Sequence, residues 1–263
     1  MTQVTTADVQ AVAEPSPSRG VVVTGAARGL GKAIAEAFAR NGAAVLGVDL
    51  DDSVRDVMER FGAGHAGVVG DVGEADVLED AFRRAAEAGG GLATVVLNAG
   101  VVTPGETAEF PVEEWDLILG VNLRAAFLGA KAAYPYLRAG SSIVMLSSIC
   151  GSQGFGARAA YCASKSGVNG LVRSLAVEWA PVGVRVNAVA PGSIETEMQQ
   201  AMVASGRASM DGYLRRIPMG RIGKASEIAD AVVYLASPRA SYITGVVLPV
   251  DGGWDSGGLP AQA

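Results

Sequence analysis

GVVVTGAARGLG, residues 20–31, is the stretch of the sequence that decides the fold. Three consecutive valines, Val21 to Val23, predict a buried β-strand, and a helical pattern begins at Gly31. Glycines at positions 25, 29 and 31 allow the backbone between the strand and the helix to turn tightly. Free N–H groups and the helix dipole favour an anion at that point. The stretch therefore predicts a strand–loop–helix unit that binds a pyrophosphate group.

Short apolar runs alternate with longer helical patterns along the rest of the chain. The predicted strands are Val21–Val23, Ala44–Val48, Ala66–Val69, Thr94–Leu97, Ser142–Leu146, Val184–Ala188 and Val246–Val250. Helical segments between them include Gly31–Asn41, Glu74–Ala88, Val112–Leu137 and Ala225–Leu235. Strands that are apolar throughout are typical of a sheet covered on both faces. The alternation predicts an α/β fold with a doubly wound, Rossmann-like parallel sheet of about seven strands and helices on both faces.

The domain organisation is simple. We expect one Rossmann-like domain over residues 20–254, because no fixed-period repeat and no linker divides the chain of 263 residues. Residues 1–19 are rich in Thr, Ala, Ser and Pro and lack the pattern of a signal peptide, so they are predicted to be a disordered leader. The tail, residues 255–263, is small and polar and receives no role.

Charge and composition exclude several classes of protein. The formal charge is -6 and the pI is about 4.9, which argues against nucleic acid as a partner. Two cysteines, Cys150 and Cys162, and one histidine, His65, form no disulfide framework and no metal site. A single distant histidine also argues against a Ser-His-Asp hydrolase. We expect a cytoplasmic protein with no membrane span, because no uninterrupted apolar run is long enough.

Asp49 ends the second predicted strand, roughly twenty residues past the glycines, as a dinucleotide fingerprint requires. A carboxylate there can accept hydrogen bonds from both hydroxyls of an adenine ribose and repels a 2′-phosphate. Leu50 and two further aspartates follow it, with no basic residue. The sequence therefore predicts NAD as the cofactor. Arg28 leaves the alternative of NADP open, because it lies in the glycine loop where it could meet a phosphate.

Tyr161 and Lys165 are candidates for proton transfer. They are i and i+4 neighbours on one face of a predicted helix. A nearby lysine ammonium is expected to lower the tyrosine pKa from about 10, so that Tyr161 can act as a general base. Ser148 comes at the end of a predicted strand. In such sheets the carboxyl ends of the strands border the ligand crevice, so the hydroxyl of Ser148 can polarise a substrate carbonyl.

Taken together, the motifs resemble those of the short-chain dehydrogenase/reductase family over Gly20 to Trp254. They are the Thr24–Gly31 glycine segment, Asp71-Val72, Asn98-Ala99-Gly100, Asn122, Ser148, Tyr161 with Lys165, and Pro191-Gly192, in the family's order. Leu97 departs from the pattern, since the family often has a second Asn there; we expect the change to affect strand packing more than chemistry.

The resemblance implies further roles. Asn122 would hold a water that relays protons through Lys165, and Lys165 would bind the nicotinamide ribose. Asp71 would bind the adenine amine, while Ile194 and Thr196 would meet the nicotinamide carboxamide. The full set of implied cofactor contacts is Gly25, Arg28, Gly29, Leu30, Gly31, Asp49, Leu50, Asp71, Val72, Asn98, Ala99, Gly100, Tyr161, Lys165, Pro191, Gly192, Ile194 and Thr196. By the same resemblance the helix from Arg158 to Trp179 makes subunit contacts in a homotetramer.

The predicted function is transfer of a hydride between NAD(H) and a secondary alcohol or ketone, with Ser148, Tyr161, Lys165 and Asn122 as catalytic residues. An NADPH-dependent 3-ketoacyl-thioester reductase of the same family is the nearest alternative, and Asp49 disfavours it. An epimerase or dehydratase is disfavoured by the glycine spacing, and a non-catalytic NAD sensor by the presence of Ser148, Tyr161 and Lys165.

The substrate pocket is expected between Val101-Val102, residues 153–155 and residues 193–222. The last segment contains several methionines, Tyr213 and Ile217, which fits either an apolar, cyclic alcohol or ketone or an ordinary helical pair that packs on the core.

Overall fold

The computed structural model describes residues 20–204 and 210–257. Seven strands form one parallel sheet in the order β3-β2-β1-β4-β5-β6-β7. The strands are β1 (Gly20–Thr24), β2 (Val45–Asp49), β3 (Ala66–Val69), β4 (Leu92–Leu97), β5 (Leu137–Leu146), β6 (Arg185–Pro191) and β7 (Val247–Val250). Every predicted strand is present, and the doubly wound fold is confirmed. The predicted leader, residues 1–19, and residues 258–263 of the tail lie outside the described residues.

Helices cover both faces of the sheet. In the part of the chain that the structure describes, the α-helices are α1 (Gly29–Arg40), α2 (Val54–Glu59), α3 (Ala75–Gly89), α4 (Val112–Leu119), α5 (Ala125–Ala133), α6 (Ala159–Trp179), α7 (Glu197–Ala204), α8 (Met210–Arg216) and α9 (Ala225–Ala236). Buried side chains of α3, α5 and α6 form one hydrophobic core with the sheet, and those of α1, α2 and α9 form the other. Burial on both faces is the reason why the strands are apolar throughout.

The order in which the chain adds parallel strands to the sheet reverses between β1 and β4. The chain leaves β1 toward β2 and β3, returns to pair β4 with the other side of β1, and continues to β7. In such sheets the crevice at the carboxyl ends of the two central strands is where ligands bind. Thr24 ends β1 and Leu97 ends β4, so the glycine loop and Asn98 meet at this point.

The predicted helix Val112–Leu137 is more irregular than its sequence pattern. A π-helical turn, Gly120–Arg124, separates α4 from α5, and a 3₁₀ turn, Tyr134–Tyr136, follows α5. Pro135 removes a backbone donor, and Leu137 begins β5 instead of ending the helix. By length and composition alone the run Val112–Tyr136, with a mean hydropathy of 1.2, could cross a membrane. The alanines of α5 nevertheless pack against the sheet, as in the core helix of a globular domain.

Arg185 fixes the end of α9. The residue is 9% exposed, and its guanidinium donates hydrogen bonds to the carbonyl oxygens of Leu235, Ala236 and Ser237 at 2.6–3.1 Å. These are carbonyls that a helix end leaves without intrahelical partners. Arg185 therefore ties α9 to β6 beside the sheet.

Candidate active site

The glycine loop has the backbone that the sequence predicts. Gly25 and Gly29 have φ values of 67° and 54°, a region that side chains rarely adopt. A Cβ on Gly31 would collide with the carbonyl oxygen of Gly25, so only glycine fits at the start of α1. These three glycines form a cradle of the kind that a pyrophosphate needs. Leu30 is half-buried in the same turn, and Arg28 is exposed.

Asp49 lies at the end of β2 beside this loop. Its Oδ2 accepts a 2.9 Å hydrogen bond from the backbone N–H of Ala27, and its Oδ1 accepts one of 3.0 Å from Asp51. The carboxylate is thus fixed against the glycine loop, where an adenine ribose would lie. Leu50 is 72% exposed next to it, which offers apolar surface to a planar ring. Arg28 is close enough for its charge to contribute, as the smallest of several causes, to the lowered pKa of Asp51.

Hydrogen bonds of Asn98 hold the ends of β1 and β4 together. Its Nδ2 donates hydrogen bonds to the carbonyl oxygens of Thr24 and Gly25 at 2.9 and 3.1 Å. The Oγ1 of Thr24 accepts hydrogen bonds in return from the backbone of Asn98 and Ala99. The side chain of Asn98 therefore holds the glycine loop in shape and borders the cofactor cleft. Leu97, one residue earlier, is buried and packs over Gly129, which agrees with the packing role expected for it.

Ser148 and Tyr161 lie close together at the carboxyl ends of the strands. Ser148 follows β5, is 8% exposed and accepts a 3.1 Å hydrogen bond from the backbone of Cys150. Ser148 is close enough to Tyr161 to lower the pKa of the phenol against the effect of burial. Tyr161 lies in the first turn of α6 and is half-buried. The two hydroxyl groups are thus placed to contact one oxygen atom of a substrate.

Lys165 lies one helical turn beyond Tyr161. Its Nζ donates a 2.7 Å hydrogen bond to the carbonyl oxygen of Leu146 and lies 5.7 Å from the centroid of the Tyr161 ring. Burial lowers the pKa of Lys165 to about 8. Burial also raises the pKa of Tyr161 to about 12, against smaller contributions from Ser148 and Arg158 that lower it. The prediction that Lys165 lowers the Tyr161 pKa is therefore wrong for this structure, because desolvation of the phenol outweighs the distant ammonium.

Asn122 lies in the π-helical turn and is 2% exposed. Its Oδ1 accepts a 2.8 Å hydrogen bond from the backbone N–H of Val101, and its Nδ2 donates to the Val101 carbonyl and to the Ser164 hydroxyl, both at 3.0 Å. The side chain therefore clamps the loop after β4 to α6. π-Helical turns are frequent at functional sites, and this one positions that clamp. The proposed relay water of Asn122 stays a prediction.

Gly100 leaves room at the centre of the site. A Cβ there would lie 3.2 Å from Asn122 Oδ1 and 3.5 Å from Lys165 Nζ. Gly100 is thus in contact with two of the four catalytic candidates, and a side chain at this position would crowd the buried ammonium.

The other predicted cofactor residues lie around the same edge. Asp71 is exposed just after β3, where its Oδ1 accepts a 2.7 Å hydrogen bond from Gly73, and Val72 is buried beside it. Pro191 ends β6, and Ile194 is buried and bridges to Gly223. The remaining residues of the set, Gly192 and Thr196, lie between β6 and α7. A Cβ on Gly29 would lie 3.7 Å from Glu197, so the start of α7 approaches the glycine loop.

An aromatic wall, formed by Phe155, Tyr213 and Trp254, was only partly anticipated. The rings of Phe155 and Trp254 stack at 5.8 Å, and Tyr213 lies 6.1 Å from Trp254. Asp255, which received no role from the sequence, accepts hydrogen bonds from Ser152 and Gln153 and secures the wall. These contacts join residues that are far apart in sequence, about a hundred positions for all but the Tyr213–Trp254 pair, so no local pattern could reveal them. Among the predicted pocket residues, 205–209 and the side chains of Met198 and Met202 lie outside the described residues.

A cavity of about 130 Å³ lies beside the catalytic candidates rather than at them. It is bordered by the loop 103–110, the start of α4 and residues 157–160 at the start of α6. We assign the reaction to the Tyr161 hydroxyl, because Ser148 acts on the pKa of that group and the Lys165 ammonium lies 5.7 Å from its ring. Cys150 and Cys162 are unpaired thiols, and burial raises the pKa of Cys150 to about 11, so it is a neutral thiol at pH 7. In the described residues, no cluster of His, Cys, Asp or Glu could hold a metal ion.

This combination of a dinucleotide cradle with adjoining Ser, Tyr and Lys side chains defines a nicotinamide-dependent oxidoreductase site. Residues 25–255 match a family model described as enoyl-(acyl carrier protein) reductase. The chain is 40% identical over 256 residues to an uncharacterized short-chain type dehydrogenase/reductase of Sinorhizobium fredii. That match covers 94% of the chain but spans only 45% of the relative's length.

Other relatives match over nearly their whole length. A trans-4-hydroxycyclohexanecarboxylate dehydrogenase of Sinomonas cyclohexanicum is 37% identical, with 90% of this chain and 92% of the relative covered. The 3-oxoacyl-[acyl-carrier-protein] reductase FabG of Thermotoga maritima is 36% identical, with 88% and 96% covered. Among solved structures, a putative 2-deoxy-D-gluconate 3-dehydrogenase of Agrobacterium tumefaciens with bound NADP is 36% identical, with a TM-score of 0.82 and 91% and 97% covered. The chain belongs to the short-chain dehydrogenase/reductase family, a family of oxidoreductases.

Proposed function

We propose that the protein transfers a hydride between NAD(H) and a secondary alcohol or ketone, with Tyr161 as the general acid and base. The observation that carries this proposal is the meeting of three side chains at one site: the Tyr161 ring lies 5.7 Å from the buried Lys165 ammonium, and Ser148 is close enough to lower the pKa of the phenol. The bound nicotinamide supplies the hydride acceptor for alcohol oxidation and the hydride donor for ketone reduction.

Side chains of this protein transfer the proton and stabilise the charge on the substrate oxygen. In oxidation, Tyr161 takes the proton of the substrate hydroxyl while the carbon that bears it gives up a hydride. In reduction, Tyr161 returns a proton to the forming alkoxide. Ser148 holds the substrate oxygen by a hydrogen bond, and Lys165 keeps a positive charge near that oxygen as it gains negative charge. Asn122 keeps the loop that carries Gly100 in place, which leaves space for the reacting atoms.

Asp49 supports NAD as the preferred cofactor. Its carboxylate is fixed at the end of β2, where a 2′-phosphate would meet a negative charge. The alternative is an NADPH-dependent 3-ketoacyl-thioester reductase. The similarity to a FabG reductase and to a structure that holds NADP favours this alternative, and so does the exposed Arg28 in the glycine loop.

A homotetramer in the cytoplasm is part of the proposal. Phe127 on α5 and Val177 on α6 are 49% and 80% exposed, which leaves apolar surface on these two helices for contacts between subunits. Light scattering coupled to gel filtration would give four times the mass of the chain, and a monomeric mass would contradict this state.

Initial rates test the function. The purified protein is offered a panel of secondary alcohols with NAD and separately with NADP, and reduced nicotinamide is followed by absorbance. The panel includes cyclohexanol and trans-4-hydroxycyclohexanecarboxylate, the latter taken from the name of the Sinomonas relative. A 3-oxoacyl thioester with NADPH tests the alternative. Oxidation that prefers NAD supports the proposal, and thioester reduction with NADPH alone favours the rival.

A further inference from the structure

The N-terminal end of α1 favours an anion that α1 itself does not supply. Residues 28–32 include no acid, and Arg28 at the N-cap carries only hydrogen-bond donors. The backbone N–H of Ala27 is already donated to Asp49. The first turn of a helix leaves N–H groups without intrahelical partners, and the helix dipole adds a partial positive charge. A negative charge from another element is therefore favoured at this end.

Glu197 brings a carboxylate to this end of α1 from the segment that follows β6. It is the first residue of α7 and is exposed. Its Oε2 lies 3.7 Å from the position of a Cβ built on Gly29, an ordinary van der Waals distance. In such sheets the pyrophosphate of a dinucleotide lies against the glycine loop and the first turn of the following helix. The Glu197 carboxylate is therefore next to the place where the pyrophosphate binds.

The backbone that carries Glu197 is held in position. The Oγ1 of Thr196 accepts a 3.3 Å hydrogen bond from the backbone N–H of Gln199, and the Nε2 of Gln199 donates one of 3.0 Å to the Oγ of Ser193. The carbonyl oxygen of Ser193 accepts a further 3.0 Å hydrogen bond from Gly223. The start of α7 thus stays near the glycine loop, and only the side chain of Glu197 is free to rotate away.

The charges around Gly29 oppose the presence of two anions. Arg28 and Lys32 are exposed in the same turn, and they attract a carboxylate as well as a phosphate. They therefore do not favour one anion over the other. Two negative groups close together repel each other, and the repulsion is strongest where solvent is partly excluded. A pyrophosphate at Gly29 must displace the Glu197 carboxylate or bind beside it at a cost in free energy.

We propose that the Glu197 carboxylate competes with the pyrophosphate of the nicotinamide cofactor for the N-terminal end of α1, and so weakens cofactor binding and speeds release of the reduced cofactor. The inference rests on binding of the cofactor at the glycine loop, as in the proposed function, but not on the identity of the substrate. Product release is the slowest step of many enzymes, so a carboxylate that keeps the cofactor from binding too tightly favours turnover.

The test removes or reverses the charge at position 197. Glu197→Gln keeps the size of the side chain without its charge, and Glu197→Lys introduces a positive charge. Glu79→Gln is the matched control, because Glu79 is an exposed glutamate on α3, which covers the opposite face of the sheet from α1. Calorimetry measures the affinity of each protein for ADP-ribose, which carries the pyrophosphate of the cofactor but no nicotinamide.

We expect Glu197→Gln to bind ADP-ribose roughly 2- to 30-fold more tightly than the wild type at low ionic strength, the range of a charge effect at a helix N-terminus. Glu197→Lys should bind it more tightly still, and Glu79→Gln should match the wild type. The gain should shrink in about 1 M salt, where the Debye length is about 3 Å. A gain that is equal at low and high salt, or a lower affinity in Glu197→Lys than in the wild type, overturns the competition.

Stopped-flow fluorescence measures the release of NADH. Glu197→Gln should lower the dissociation rate constant by a factor similar to its gain in affinity, because variants of one binding site differ mostly in dissociation. A dissociation rate constant equal to that of the wild type overturns the effect on release.

Binding of ADP-ribose separates this inference from the proposed function, because ADP-ribose takes part in no hydride transfer. Tighter binding by Glu197→Gln supports the competition, even if no alcohol is oxidised. Equal affinity of Glu197→Gln and the wild type overturns it, even if alcohols are oxidised with NAD. Absence of binding by both proteins overturns the inference together with the cofactor site.

Discussion

The ammonium nitrogen of Lys165 lies 5.7 Å from the centroid of the Tyr161 ring, while its hydrogen bond is directed to the carbonyl oxygen of Leu146. Both side chains titrate far from their ordinary values in this arrangement, because burial disfavours the charged form of each. The charged forms of Tyr161 and Lys165 are thus costly in free energy. Both the free energy of unfolding and the activity should therefore depend on pH.

Lys165→Met should stabilise the folded protein at pH 7. The pKa of Lys165 is lowered from 10.5 to about 8, which corresponds to a cost of about 3 kcal/mol in the free energy of unfolding at neutral pH. Loss of the charge-assisted hydrogen bond to Leu146 offsets about 1.5 to 3 kcal/mol, so we expect the net gain to lie between about 0 and 1.5 kcal/mol. Denaturant unfolding at pH 7 measures it.

The stability that Lys165→Met gains over the wild type should decrease with increasing pH. Between about pH 8 and pH 10.5 the unfolded protein binds more protons at this lysine than the folded protein does. The cost is therefore complete below about pH 8 and disappears as the pH rises to 10.5, so the advantage of Lys165→Met should shrink over that window. Lys131→Met, at an exposed position of α5, is the control without this dependence. A constant difference at all pH values would contradict the assignment.

Alcohol oxidation should speed up with increasing pH, and ketone reduction should not. Burial raises the pKa of Tyr161 to about 12, so the phenol is protonated at pH 7 and only a small fraction is available as a base. That fraction grows as the pH approaches 12, whereas reduction uses the protonated phenol already present. Profiles of kcat/KM from pH 5.5 to pH 7.5 in both directions test this, because Lys165, with a pKa of about 8, keeps its charge over that range. Parallel profiles in the two directions would argue against Tyr161 as the titrating group.

Asp49→Asn should relax the choice of cofactor. The amide keeps an oxygen that can accept the hydrogen bond from Ala27 but removes the charge that repels a 2′-phosphate. We expect the ratio of kcat/KM for NAD over NADP to fall roughly tenfold or more, as for a lost interaction with a charged group. Asp49→Ala should add a loss of NAD affinity. Asp52→Asn, an exposed neighbour, should leave the ratio unchanged. If Asp49→Asn also leaves it unchanged, Asp49 is not the ribose ligand.

Gly31→Ala should abolish cofactor binding. The added methyl group meets backbone, the carbonyl oxygen of Gly25, so no side-chain rearrangement can relieve the collision. Gly170→Ala provides a comparison, because a Cβ there has open space in the middle of α6 and should be tolerated. Fluorescence titration with NADH measures the two variants. Wild-type affinity in Gly31→Ala would show that the loop does not form the predicted cradle.

Much of the fold was predictable, because it follows from local patterns. The apolar runs marked all seven strands, and the spacing of Gly25, Gly29 and Gly31 marked the loop that the structure contains. Burial could not be read from spacing, so the pKa of Tyr161 was predicted in the wrong direction. The hydrogen bonds by which Asn98 and Asn122 hold neighbouring elements together could not be predicted for a similar reason, since their partners are distant in sequence. The aromatic wall of Phe155, Tyr213 and Trp254 could not be predicted either, because it forms only when α8 and the C-terminal segment are brought together.

The initial rate of Tyr161→Phe tests the central claim most directly. The variant removes one oxygen atom, so it should keep its fold and its affinity for NADH while losing the proton acceptor. Rates of secondary-alcohol oxidation with NAD are compared with the wild type on the substrate that the panel selects. We expect a rate lower by roughly 10²- to 10⁴-fold, the usual contribution of a general acid or base. Oxidation near the wild-type rate, with NADH binding intact, would contradict it.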